Sequence, residues 1–160
     1  MADDDKKRTA LVTGGNRGLG VELCRQLHHL GYRVILTARD ATDGAAAANA
    51  IGVDFHALDV TDPAAIATLA AWLKAEERTV DILVNNAAVA LDGFNAEVAR
   101  QTIDANVYGP LRLTEALLPV IPDGGTVVMV SSGVGELSGL AGPIRRELTS
   151  QTLTPRNSWR

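Results

Sequence analysis

A glycine-rich turn near the start of the chain constrains the fold more than any other feature. Residues 9–13 read T-A-L-V-T, a short apolar strand, and residues 17–30 show apolar side chains at helical spacing. Four glycines lie at the junction: Gly14, Gly15, Gly18 and Gly20. Glycines there permit a tight turn and let backbone N–H groups at the positive end of the helix approach a phosphate. The junction predicts a nucleotide-binding site, with a purely structural turn as the alternative.

Apolar strand-like runs alternate with helical stretches along the rest of the chain. Further strands are predicted over 32–38, 53–58, 80–84 and 126–130. Further helices are predicted over 40–51, 62–78 and 94–120, with a kink in the last at Pro110. On the helices we expect Leu23, Cys24, Leu27, Leu30, Ile66, Leu69 and Leu73 to face inward.

This alternation predicts an α/β fold class with a parallel sheet covered on both faces. We expect a Rossmann-type, doubly wound, three-layer α/β/α sandwich of five strands in the order 3-2-1-4-5. The predicted nucleotide-binding domain covers 9–135. It follows a polar N-terminal tail, 1–8, and precedes an irregular tail, 136–160, whose last residues, 153–160, show no periodicity.

Composition and charge exclude several other classes of protein. The formal net charge is -4, which gives no electrostatic support for nucleic-acid binding. No stretch approaches the 18 or so apolar residues of a membrane span, and the charged start is unlike a signal peptide. Cys24 is the single cysteine, which fits a reducing compartment and a cytoplasmic location. No His, Cys or acidic cluster has the spacing of a metal site.

Five motifs in order resemble those of the short-chain dehydrogenase/reductase family. Residues 13–20 have the form T-G-x-x-x-G-x-G of the family's cofactor turn. Asp59 in L-D-V, the N-N-A-A of residues 85–88, Asn106 in N-V-Y-G and Ser132 in V-S-S-x-x-G follow in the family's order, with Ala88 in place of a glycine. The resemblance extends over about residues 9–135, and the amino-acid sequences of these segments are most similar to those of the carbonyl reductase subgroup.

The resemblance implies an NADP-dependent oxidoreductase that moves hydride between its cofactor and a small-molecule carbonyl or alcohol. It implies catalytic roles for Ser132, which binds the substrate oxygen, and for Asn106, which supports a proton relay. It implies that Asp59 hydrogen-bonds the adenine amino group. The cofactor-binding residues are then Gly14, Asn16, Arg17, Gly18, Leu19, Gly20, Arg39, Asp59, Val60, Asn86, Ala87 and Ala88.

Two arginines favour NADP over NAD. NAD-binding versions of the fold carry an acidic residue at the end of the second strand, which accepts from the ribose 2′-OH. Here Arg39 follows that strand, and a guanidinium can grip a 2′-phosphate with two hydrogen bonds. Arg17, inside the glycine turn, is a second candidate. Asp40 leaves NAD open, because it falls about 20 residues after Gly20, where an NAD-type carboxylate is found.

The family's Tyr-x-x-x-Lys pair is not found after Ser132. The two tyrosines are Tyr32, at the second strand, and Tyr108, whose Arg112 at the fourth position cannot replace a lysine. In the carbonyl reductase subgroup an insertion separates serine and tyrosine, and residues 133–153 resemble its start. We therefore interpret the chain as C-terminally truncated. The alternative to an oxidoreductase is an NADP-binding regulatory module, or a nonfunctional one, without turnover.

The fifth strand is expected to be an edge of the sheet. Residues 126–130 read T-V-V-M-V, which is apolar and uncharged, and such an edge tends to pair with other chains. The helix over 94–120 is expected to expose some of Val107, Leu111 and Leu118. We therefore predict self-association through strand five.

Overall fold

Five short strands form one sheet in the computed structural model, which describes residues 7–93 and 95–150. Residues 1–6 of the predicted tail, Phe94 at the predicted helix start and residues 151–160 lie outside the described residues. The strands are β1 (Thr9–Thr13), β2 (Arg33–Ala38), β3 (Asp54–Ala57), β4 (Ile82–Asn85) and β5 (Thr126–Met129). Each lies within two residues of its predicted bounds.

Helices connect successive strands, and one further helix follows β5. The connecting helices are α1 (Gly18–His29), α2 (Ala41–Ile51), α3 (Pro63–Ala75), α4 (Ala96–Ile103) and α5 (Gly109–Leu117), and the helix after β5 is α6 (Gly142–Leu148). A π-helical turn, Asp104–Tyr108, joins α4 to α5, and a 3-10 turn, Leu118–Val120, ends α5. Pro110 has no N–H to give the carbonyl of Asn106, so the interruption of the long helix falls where the proline predicts one.

All neighbouring strands are parallel, and their order is β3-β2-β1-β4-β5. This confirms the predicted order. Because β1 lies in the middle with β2 and β4 beside it, the loops after these three strands leave the sheet on the same side. That side is where ligands bind in folds of this class.

Alternate residues of the central strands are buried on opposite faces of the sheet. On one face Leu11 and Leu83 pack with α3 and α5. On the other face Val12 and Val84 pack with α1 and α2, including Cys24. The three-layer sandwich is therefore confirmed. Burial raises the pKa of the Cys24 thiol to about 12, so the thiol stays protonated at neutral pH.

The predicted inward face of α1 is wrong at its last position. Leu30 is 75% exposed, because α1 ends at His29 and Gly31, at φ 88°, turns the chain towards β2. Ile66, Leu69 and Leu73 of α3 are buried as predicted. Proline 63 occupies the first turn of α3, and the carboxylate of Asp62 accepts from the N–H of Ala64 at 2.8 Å.

The chain divides into two compact units at Val130–Ser131. In the second unit, two 3-10 turns (Gly133–Gly135 and Leu137–Gly139) precede α6, a helix that the sequence analysis did not predict. Across residues 7–93 and 95–150, none of the helices has the length and apolar character that a membrane crossing needs.

Candidate functional site

A cavity of about 630 Å³ opens where β1, β2, β3 and β4 end. All twelve residues predicted to bind the cofactor line it. The remaining lining residues are Asp40, which the sequence analysis considered only as an NAD-type carboxylate, and five that it did not consider: Asp43, Leu58, Thr61, Val89 and Ala105. The structure therefore brings together segments that are more than 70 residues apart in the sequence. A smaller cavity of about 290 Å³ lies at the other ends of β2 and β3, around Arg33, Asp54 and Arg78.

The glycine turn lies against the end of β4. Gly14 has φ 63°, in the left-handed region, and a Cβ there would lie 3.0 Å from the Cα of Ala87. A Cβ on Gly20 would lie 2.1 Å from the carbonyl oxygen of Gly14, so a side chain cannot be placed there without moving the backbone. Gly18 has φ 55°, lines the cavity and has open space where its Cβ would be.

The amino end of α1 differs from those of the next three helices. Side chains of Asp40, Asp62 and Asn95 cap α2, α3 and α4 by accepting backbone N–H groups. Arg17, at the same position of α1, makes no such bond, and the first turn of α1 carries no acidic side chain. The free N–H groups and the positive end of the helix dipole therefore face the cavity, and no side chain of the N-cap or first turn caps them or brings a negative charge to them.

The hydroxyl of Thr13 ties the glycine turn to β4. Its Oγ1 accepts from the N–H groups of Asn86 and Ala87, both at 2.9 Å, and donates to the carbonyl of Val84 at 3.4 Å. The side chain of Asn86 completes the link by donating to the carbonyls of Thr13 and Gly14 at 2.9 and 3.2 Å. Sequence reasoning treated Thr13 as part of a motif and missed this role, which depends on strands 70 residues apart.

Two exposed arginines line one side of the cavity, after β1 and β2. Among the described residues, neither Arg17 nor Arg39 forms an ion pair or a side-chain hydrogen bond, although both line the cavity. Asp40, which left NAD open in the sequence, is the N-cap of α2, and its Oδ1 accepts from the N–H of Asp43 at 2.8 Å. A local structural role thus accounts for the acidic residue next to Arg39.

Asp59 is held in place by its neighbour in the loop after β3. Its Oδ1 accepts from both the N–H and the hydroxyl of Thr61, at 2.9 and 2.7 Å. The side chain is half-buried and lines the cavity. Within the described part of the chain its Oδ2 accepts no hydrogen bond, so this oxygen is available to a donor in the cavity.

Asn106 lies in the π-helical turn and binds backbone rather than facing the cavity. Its Nδ2 donates to the carbonyl of Val89 at 2.9 Å, and its Oδ1 accepts from the N–H of Val89 at 2.8 Å. Val89 and Ala105 line the cavity, whereas Asn106 does not. The asparagine therefore fixes the loop after β4 to the long helix, a contact that the sequence did not predict.

Ser132 belongs to the second unit, where it is exposed and precedes the 3-10 turn Gly133–Gly135. Gly14, Asp59 and Asn86 line the cavity together, as predicted. The predicted approach of Ser132 to the glycine turn stays a prediction.

Comparison with known proteins identifies the relatives of this chain. The family model described as "short chain dehydrogenase" matches residues 8–144. The (+)-neomenthol dehydrogenase of Arabidopsis thaliana is 36% identical, over 86% of this chain and 57% of that protein. "Carbonyl reductase [NADPH] 1" of Sus scrofa is 37% identical, over 92% of this chain and 55% of that protein. The chain thus spans somewhat more than half the length of these curated relatives.

Solved structures agree with the sequence comparisons. Menthone neomenthol reductase from Mentha piperita superposes with a TM-score of 0.85 at 30% identity, over 94% of this chain and 70% of that one. A metagenomic short-chain oxidoreductase in complex with NADP superposes with a TM-score of 0.64 at 35% identity, over 71% of this chain and 56% of that one.

Proposed function

We propose that the cavity of this chain, which belongs to the short-chain dehydrogenase family, binds NADP(H). We propose further that the protein is an oxidoreductase that acts on a small-molecule carbonyl or alcohol. The observation that carries the proposal is the convergence of all twelve predicted residues on one cavity beside the uncapped end of α1. A carbonyl reductase named for NADPH and a structure solved with NADP are among the relatives, which supports the choice of cofactor.

The pyrophosphate fits the glycine turn. The N–H groups of the first turn of α1 have no side-chain cap, and the turn carries no acidic group that would repel an anion. Gly18 leaves room on the cavity side, where a side chain would narrow the approach to the backbone. These features suit a diphosphate better than a neutral ligand.

The 2′-phosphate fits the side of the cavity lined by Arg17 and Arg39. Both guanidinium groups are exposed and without an internal partner among the described residues. Asp40 caps α2 by accepting from the N–H of Asp43 through Oδ1, so a structural role accounts for this carboxylate without a contact to the ribose. Two charge-assisted hydrogen bonds, each worth about 1.5–3 kcal/mol, allow a preference for NADPH over NADH of roughly tenfold or more.

The adenine fits the loop after β3. The free Oδ2 of Asp59 can accept from an exocyclic amino group, while Thr61 fixes the carboxylate through Oδ1. Val60 is buried beside it and gives the cavity an apolar wall. The nicotinamide half of the cofactor would then lie against the remaining lining residues, Ala87, Ala88, Val89 and Ala105.

When bound, NADP(H) supplies or accepts the hydride. We propose that Ser132 binds the substrate oxygen and that Asn106 acts by holding Val89 and the cavity wall in place. The cytoplasmic location and the substrate stay predictions. Self-association through β5 is a separate prediction, because no β5 residue lines the cavity.

A second candidate is cofactor binding without turnover by these 160 residues alone. Tyr32 and Tyr108 are the only tyrosines, and neither belongs to a Tyr-x-x-x-Lys pair. General acid catalysis contributes about 10²–10⁴-fold to a rate, so a chain without the acid is expected to show negligible carbonyl reduction. NADPH oxidation by the pure chain with a reactive ketone, lost in Ser132→Ala, would favour the first candidate.

Exchange of Arg39 for aspartate tests the cofactor assignment. The Arg39→Asp chain should bind NADPH at least about tenfold more weakly and NADH more tightly, as measured by titration of cofactor fluorescence. Arg145→Asp is the matched control, since it makes the same change of charge at an exposed site in the second unit. If both substitutions weaken NADPH binding equally, net charge explains the effect and Arg39 does not contact the 2′-phosphate.

A further inference from the structure

One carboxylate in the proposed NADP(H) cavity has no partner in the described part of the chain. Asp43 lies in the first turn of α2, is exposed and lines the cavity. Its backbone N–H donates to Oδ1 of Asp40 at 2.8 Å, which completes the cap of α2. Among the described residues, the carboxylate of Asp43 itself accepts no hydrogen bond and forms no ion pair. The cap therefore uses the backbone of Asp43 and leaves its side chain to the cavity.

The strand order places Asp43 on the ribose side of the cavity. Because β2 lies between β1 and β3, residues 39–43 after β2 lie between the glycine turn after β1 and the loop of Asp59 after β3. In the proposed function, on which this inference rests, the pyrophosphate binds at the glycine turn and the adenine binds at Asp59. The adenosine ribose, which joins these two groups, then falls against residues 39–43.

The first turn of α2 packs closely on the sheet. Gly44, the residue after Asp43, is buried, and a Cβ there would meet the ring of Phe55 on β3 and the side chain of Ala38 on β2. The missing side chain of Gly44 thus lets the start of the helix rest on both strands. The sheet therefore fixes the backbone from which Asp43 projects, and its negative charge stays near the ribose side of the cavity.

The charged side chains on this side of the cavity oppose one another. Arg17 and Arg39 bring positive charge, whereas Asp40 and Asp43 bring negative charge. A phosphate monoester carries a charge of about −1.5 to −2 at neutral pH, so the arginines attract it and the carboxylates repel it. A ribose 2′-hydroxyl is uncharged and can donate a hydrogen bond to a carboxylate. The carboxylates therefore act against a 2′-phosphate but not against a 2′-hydroxyl.

We propose that Asp43 is a specificity residue of the cofactor site, which weakens binding of the 2′-phosphate and accepts a hydrogen bond from the 2′-hydroxyl of NAD(H). The two arginines still favour NADP(H), but the site then takes NAD(H) as a second cofactor. Asp40 is the weaker candidate for this role, because one of its oxygens already caps α2. The alternative for Asp43 is a structural role, since a negative charge in the first turn stabilises a helix.

Removal of the charge at Asp43 tests the proposal. Asp43→Asn keeps the shape of the side chain and should raise the ratio of NADPH to NADH affinity at least about threefold, through tighter binding of NADPH in fluorescence titrations. Asp43→Glu keeps the charge and should leave the ratio within about twofold of that of the unmodified chain. Glu97→Gln is the matched control, because it removes one charge from the exposed first turn of α4 and does not line the cavity.

Calorimetric titration with adenosine 2′,5′-bisphosphate and adenosine 5′-phosphate provides a second measurement, which needs no turnover. These two probes differ only in the 2′-phosphate. Asp43→Asn should bind the bisphosphate at least about threefold more tightly, change the affinity for the monophosphate less than about twofold, and lose its gain as salt is added. A purely structural role predicts the opposite sign, because a less stable α2 would weaken the binding of both probes alike.

Two results would overturn the role of Asp43. One is an equal effect of Asp43→Asn and Glu97→Gln on the ratio of NADPH to NADH affinity. The other is an equal change in the affinities for the two adenosine phosphates. Failure of the proposed function is distinguishable, since neither cofactor would then bind saturably to the unmodified chain, and the role of Asp43 would fall with it.

Discussion

The glycine turn and β5 belong to the same parallel sheet, yet they are held in very different ways. At the glycine turn, the hydroxyl of Thr13 serves three backbone groups, and the side chain of Asn86 binds two more. Gly20 lies so close to Gly14 that a methyl group does not fit between them. Among the described strands, β5 pairs only with β4, and its four residues are all exposed.

The difference shows where precision is needed in this fold. The proposed cofactor site would use backbone N–H groups, which must be fixed to a fraction of an ångström, and the residues around the turn tie strands together in a way that provides this. β5 requires only an extended backbone and an apolar sequence, and its exposed side is free to meet another surface. Substitutions at the turn should therefore cost stability and binding together, whereas matched substitutions on or after β5 should cost little.

The largest contrast is expected between two glycines. In Gly20→Ala the new Cβ would lie 2.1 Å from the carbonyl oxygen of Gly14, so the turn must shift. We expect a loss of about 3 kcal/mol in the free energy of unfolding, the upper end of the range for overpacking, and loss of measurable NADPH binding. Gly139→Ala, which meets no atom within 4 Å, is the control and should change stability by less than about 0.5 kcal/mol in urea unfolding. Similar losses in both variants would contradict the contrast.

A smaller contrast is expected between two threonines. Thr13→Val leaves the N–H groups of Asn86 and Ala87 without their acceptor inside the protein, which should cost about 2 kcal/mol. Thr126→Val makes the same chemical change on exposed β5 and should be neutral within about 0.5 kcal/mol. Thermal or urea unfolding of the two variants measures the difference. Should Thr13→Val prove as harmless as Thr126→Val, the hydroxyl does not hold the turn.

The smallest effect on stability is expected at Asp40, where substitutions separate helix capping from recognition of the cofactor's ribose. Asp40→Ala removes the N-cap of α2 and should cost about 1 kcal/mol, whereas Asp40→Ser keeps a capping oxygen and should cost less. If Asp40 serves only to cap α2, neither change should alter the ratio of NADPH to NADH affinity by more than about threefold. A large rise of NADPH preference in Asp40→Ser would mean that the carboxylate faces the ribose.

Much of the fold was predictable because parallel α/β sheets carry strong local signals. Apolar runs, the Asp62–Pro63 helix start and the glycine turn predicted the strands, α3 and the strand order without any knowledge of contacts. Leu30 was misplaced because helical periodicity does not show where a helix ends. The π-helical turn and α6 depend on packing and on weak local patterns, so the sequence did not specify them.

Twelve residues that line the cavity could be singled out from the sequence, but their individual contacts could not. The motifs and the two arginines pointed to these twelve, whereas six further lining residues were not among them. The pairing of Asn106 with Val89 joins segments 17 residues apart, and no spacing rule predicts it. The role of Asp40 had a signal that could have been used, since an aspartate directly before an alanine-rich helix favours an N-cap.

Calorimetric titration of the unmodified chain with NADPH, and separately with NADH, tests the central claim most directly. If the glycine turn, Arg17 and Arg39 form an NADP site, one NADPH should bind per chain, at least about tenfold more tightly than NADH, and added salt should reduce the difference. Equal affinity for the two cofactors would contradict the assignment of NADP. The absence of saturable binding of either would contradict the assignment of the cavity itself.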